Sequence, residues 1–136
     1  MLYEIQQSSD LTYRFYDWDR VDSSGRKREL HIDKAVAVAK LRSAPAMKRA
    51  GKAFGTRRVL SEKYFTLDLI RTDTMEMLPA VQDFGILTLT EGEAELRFSG
   101  GSVRMKAGDT CLLPAGGPEL ALVGSGAAVL AMPAGR

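Results

Sequence analysis

The chain has 136 residues, 45% hydrophobic and 26% charged, with a net charge of +2. That suffices for one ordinary globular domain, or one domain with a piece of another attached, without covalent staples. One cysteine and one histidine exclude an internal disulfide and argue against a zinc site built from this chain's own His and Cys. No apolar run is long enough to span a bilayer, and the N-terminus lacks a basic-then-apolar signal pattern, so no membrane contact and a reducing, cytoplasmic setting are expected.

The first stretch mixes polar and charged groups between single apolar residues. Tyr3 to Gln7 and Thr12 to Trp18 are predicted as two strands of a hairpin, with Ser8-Ser9-Asp10 as its turn. Such a hairpin sends Glu4, Gln6 and, in one register, Arg14 toward a common surface. An acid, an amide and a guanidinium on adjacent strands can grip a hydroxylated, phosphorylated or carboxylated small molecule; a half-exposed hairpin can equally present the same groups only to water. Asp17 to Lys27, rich in Asp, Ser and Gly, is predicted as a loop, with Trp18 as a lid or packing plug. Leu30 to Leu41 is predicted as a short helix with Ile32, Ala35, Val36 and Ala39 on one apolar stripe and Asp33 at its positive end. His31, at the helix start, is expected to be a structural side chain, with a ligand or acid–base role as the alternative.

Charge is split unevenly: 13 basic and 7 acidic residues stand through Arg58, and 6 basic and 10 acidic after it. Lys40 to Arg58 carries seven basic residues, no acid and one aromatic, Phe54. A nucleic-acid surface interleaves aromatics with its basic groups, so a solvated linker over 43–58 is expected and no nucleic-acid partner.

From Val59 the apolar period becomes two. Predicted strands are Tyr64 to Ile70, with Phe65, Leu67 and Leu69 on one face; Thr74 to Pro79, with Met75 and Met77 in the core; Ile86 to Thr90; and Ala94 to Phe98 after a Glu91-Gly92 turn. Gly100-Gly101 suits a tight hairpin into Val103 to Met105. Thr110 to Leu113 follows, with Cys111 as a small buried hydrophobe, and Glu119 to Val123 and Ala127 to Met132 flank Gly124-Ser125-Gly126. Seven or eight short strands at this spacing predict an all-β fold, an antiparallel sandwich or a small jelly-roll barrel, preceded by the hairpin and one short helix. The organisation expected is 1–42, hairpin plus helix; 43–58, linker; and 59–136, a barrel filled by its own side chains.

Two stretches, Tyr3 to Arg20 and Arg28-Glu29-Leu30-His31-Ile32-Asp33-Lys34-Ala35, resemble bacterial type I mannose-6-phosphate isomerases. Leu89 to Glu93 and Ala107 to Ala115 are similar to that family's C-terminal cupin unit. The resemblance implies a cupin fold and the interconversion of mannose 6-phosphate and fructose 6-phosphate, with a zinc held by a Gln, a Glu and two His. It places Arg14 at the active site and Glu4 as an acid lining the pocket; Gln6 and Asp10 are the substrate-binding candidates. The family's metal ligands correspond to positions upstream of Met1, so no metal ligand and no cofactor are expected within this chain, and no useful turnover from it alone. The expected partners are a sugar phosphate, and a second copy or an upstream catalytic half. The alternative is a non-enzymatic cupin module that binds a small sugar or acid or scaffolds a partner.

Overall fold

The structure is a computed structural model that describes residues 3–6, 11–39 and 51–135. The chain divides into two compact units, one within residues 3–47 and one within 48–136. In the first, α1 (Ile32–Val38) is the one regular element among the described residues. It is shorter than predicted. Ala39 has extended backbone and ends it, although its N–H still bonds back to the carbonyls of Ala35 and Val36. Of the predicted stripe, Ala35 is buried, while Ile32 and Val36 are exposed.

The predicted N-terminal hairpin is corrected. Residues 3–6 and 11–18 carry no strand, and the paired backbone of this unit, among the described residues, is the antiparallel bridge Val21–Lys27. The Asp22 carboxylate organises the intervening turn by accepting from the backbone N–H groups of Ser24 and Arg26. The turn predicted at Ser8-Ser9-Asp10 lies outside the described residues.

The second unit is the predicted antiparallel roll, built from β1 (Gly55–Ser61), β2 (Phe65–Thr72), β3 (Met75–Met77), β4 (Phe84–Phe98), β5 (Gly101–Lys106), β6 (Thr110–Pro114) and β7 (Ala121–Pro133). The strand order is β1-β2-β7-β4-β5, with β3 also on β7 and β6 also on β4. β1 begins inside the stretch predicted as linker. β4 and β7 each replace two predicted strands. β4 pairs with β6 through Phe84–Thr88 and with β5 through Glu93–Phe98. β7 pairs with β3 in its first part and with β2 in its second.

The two long strands bend together where their register shifts between Leu89 and Glu91. Glycine is required there. A Cβ on Gly92 (φ +76°) would lie 2.2 Å from the Ser125 carbonyl oxygen, and one on Gly126 would lie 2.4 Å from that of Glu91. Residues read as turns are therefore the points where two backbones nearly touch. The bend folds the sheet over one core that holds Ile70, Leu87, Leu89 and Leu130 from one half, and Leu96, Met105 and Leu122 from the other.

Face assignments differ from the sequence reading at two strands. On β2 the fully buried side is Thr66, Asp68, Ile70 and Thr72, while Phe65, Leu67 and Leu69 are half-buried. On β3, Met75 and Met77 are 59% and 48% exposed, and Glu76 lies opposite the buried Leu122. Pairing with β7 sets the parity, and it turns both methionines out of the core.

Candidate functional site

In the first unit, contacts run from the segment around Arg14 to the segment around His31. The His31 N–H donates to the Arg14 carbonyl oxygen at 2.9 Å. The Tyr13 and His31 rings meet edge-on at 6.1 Å. Arg28 grips the nearly buried Asp17 carboxylate with both arms of its guanidinium, Nε to Oδ2 at 2.7 Å and Nη2 to Oδ1. This bidentate bond holds the Asp17 carboxyl below its usual range against the opposing effect of burial, and the charges of Arg28, Arg14 and Arg20 add to it. The two segments that carried the family resemblance are thus tied together. The loop reading of Asp17 to Lys27 missed the Asp17–Arg28 pair; an 11-residue separation within polar sequence carries no periodic signal.

Arg14 is half-buried, and Glu4 and Gln6 are exposed. Among the described residues no hydrogen bond or ion pair joins Glu4 or Gln6 to Arg14. Asp10 lies outside the described residues. Trp18 is 71% exposed, packs edge-on against Tyr16 at 5.8 Å and lies under the Arg20 guanidinium at 5.7 Å. The predicted plug is therefore an exposed ring, on backbone that Trp18 and Asp19 hold at φ +50° and +53°. His31 caps α1 through its backbone, its carbonyl accepting from Ala35 at 2.8 Å, and its side chain makes no cap bond. Its Nε2 stands 3.8 Å from Glu29 Oε2.

The zinc implied by the family resemblance does not fit the donors described. Among the described residues no three His, Cys, Asp or Glu side chains come together as a metal-holding group. No chemical step is routed through a metal here.

In the second unit, the Arg58 guanidinium holds the buried Asp68 carboxylate by Nε to Oδ1 at 2.5 Å and Nη2 to Oδ2 at 3.0 Å. Beside its packed core the roll carries an open cleft of about 740 Å³. Its lining includes Leu78, Val81, Leu96, Cys111, Leu113 and Leu120, all of which belong to or pack against the core. The Cys111 thiol is raised above its ordinary pKa, first by burial and then by the charge of Asp109, so it is a poor nucleophile. Among the described residues no helix is long and apolar enough to cross a membrane.

A family profile described as "Mannose-6-phosphate isomerase, cupin domain" matches residues 56–133, nearly the whole of the rolled sheet. The mannose-6-phosphate isomerase ManA of Bacillus subtilis is 32% identical over 89% of this chain, and a mannose-6-phosphate isomerase of Streptococcus mutans is 28% identical over 84%. The chain spans only 40% and 37% of the length of these relatives, and it matches their C-terminal part. The crystal structure of the mannose 6-phosphate isomerase from Bacillus subtilis superposes with a TM-score of 0.66 at 26% identity, over 90% of this chain and 40% of that one. An RmlC-like cupin from Desulfovibrio desulfuricans, at 17% identity and a TM-score of 0.52 over 69% of this chain and 96% of that one, shows the fold alone. With that profile matched over more than half of its length, the chain belongs to the mannose-6-phosphate isomerase cupin-domain family.

Proposed function

We propose that this chain is the C-terminal, cupin-bearing part of an aldose–ketose isomerase acting on mannose 6-phosphate, and that it does not turn over sugar phosphate on its own. The carrying observation is the pairing of a match to some 40% of the relatives' length with a described donor set too sparse for a metal. In this reading Arg14 stabilises negative charge on the substrate or the developing enediolate, and Glu4 is available to accept a proton. Gln6 and Asp10 bind sugar hydroxyls. The Asp17–Arg28 pair and the His31 N–H hold the Arg14 segment in place, which supports a positioned rather than a merely solvated arginine. The metal-holding groups belong to the part of the relatives that this chain does not match, the partner of this unit in this reading. The exposed Leu30, Ile32, Val36 and Val38 support such a partner, because apolar side chains in this number on a short segment gain from being covered. A free thiol in Cys111 suits the reducing cytoplasm.

The test is an isomerase assay of the purified chain with added zinc, with and without the part of Bacillus subtilis ManA that this chain does not match. No turnover from the chain alone and co-elution of the two parts are the expected results. Turnover by the chain alone on the order of 10 per second, an ordinary enzyme rate, overturns the reading. A stable homodimer that ignores the added half overturns the partner assignment.

A further inference from the structure

We propose that the open cleft of the rolled sheet is a binding site for a small apolar molecule with a neutral or cationic head, and not for a sugar or an acid. This open cleft, at about 740 Å³, is of the size that takes small ligands. Leu96 and Leu113 are buried in its lining, and Leu78, Val81 and Leu120 are half-buried against the same core. Met77, Val103 and Leu112, all exposed, and the half-buried Phe98 also line it.

Among the lining side chains only Cys111 and Glu119 carry titratable groups. A sugar entering here would leave most of its hydroxyls without partners, which apolar walls penalise. Glu119 is one of the lining residues, is exposed, and is in no ion pair among the described residues. Arg97, which lines the adjoining depression with Glu119, is already paired to Glu95 at 2.6 Å. The charge of Glu119 therefore disfavours a carboxylate or phosphate and favours an amine, while the apolar body of the ligand covers the leucines.

Cys111 is the only cysteine of the chain and lines the cleft, so its labelling by N-ethylmaleimide reports occupancy. Labelling of the full chain is followed with hexanol, hexylamine, hexanoate and mannose 6-phosphate as competitors. Hexanol and hexylamine at about four times their dissociation constants are expected to slow labelling about fivefold. Hexanoate is expected to bind about two- to fivefold more weakly than hexylamine, and Glu119→Gln to erase that difference. Val81→Phe, which fills the cleft, should remove protection; methyl NMR spectra show whether it keeps the fold, and Glu119→Gln carries the test if it does not. Labelling indifferent to hexanol and hexylamine overturns the proposal. So does protection by mannose 6-phosphate, or by hexanoate more strongly than by hexylamine.

Discussion

Replacing Arg58 by methionine tests how the edge of the roll is held. Asp68 is 2% exposed in the middle of β2, opposite Leu130, and Arg58 of the edge strand β1 contacts both its oxygens. Methionine keeps much of the length of the arginine stem and removes the donors. The carboxylate then stays buried without its guanidinium. Breaking a fully buried pair from one side costs roughly 3–5 kcal/mol. The Arg58 side chain is 49% exposed, so part of that loss is screened by solvent, and about 2–3 kcal/mol is expected. For a unit of this size the midpoint of thermal unfolding falls by about 10 °C or more. Urea unfolding should be followed by far-UV circular dichroism, because Trp18 lies in the other unit and its fluorescence reports there. The double variant Arg58→Met/Asp68→Leu removes both charges and should return to within about 1 kcal/mol of the parent. A cost for Arg58→Met below about 0.5 kcal/mol, the range of ordinary surface changes, would refute the reasoning.

Gly126→Ala places a Cβ 2.4 Å from the Glu91 carbonyl oxygen, so β4 and β7 must separate; a loss of about 2–3 kcal/mol in urea unfolding is expected. Leu130→Ala empties a fully buried site between Asp68 and Leu87 and should cost about 3 kcal/mol by the same measurement. The raised Cys111 pKa means that the folded state keeps a proton which the unfolded state releases. Stability from this group is complete below about pH 8.5 and is lost as the pH rises above it, and Cys111→Ala should flatten that alkaline slope. Glu95 behaves oppositely. Ser102 and then Arg97 hold its pKa down, so its contribution is complete above about pH 4.3 and is lost as the pH falls through the lowered value; Glu95→Gln should remove that part of the acid slope in a stability-versus-pH series.

That the second unit is antiparallel and all-β was legible from alternation; the cupin roll came from the family resemblance. Ala94 to Phe98, Val103 to Met105 and Thr110 to Leu113 lie in strands as read, with Ala94, Leu96, Met105 and Leu113 on the core and Val103 exposed. Strand parity on β3 was not legible. Met75-Glu76-Met77 alternates correctly in either orientation, and only the pairing of Glu76 with Leu122 decides which side is inward. The unity of β4 and β7 was also hidden, since Gly92 and Gly126 serve a close backbone approach as well as they would a turn. In the first unit the hairpin reading failed because the contacts that order it are not local strand pairs. They are the side-chain grip of Arg28 on Asp17 and one backbone bond from His31 to Arg14. The cleft could not be read either, because a list of Leu, Val and Met does not tell a packed interior from a lined cleft.

The two long bent strands run through both halves of the folded sheet, and each half is one layer over the core. Neither layer can peel away without tearing the other, so the roll should melt in a single step, with amide protons in the two layers exchanging at similar rates. Backbone scission would be fatal along β4 or β7 and far milder at the Ser99-Gly100 tip, where the nicked ends would stay in place on their neighbours.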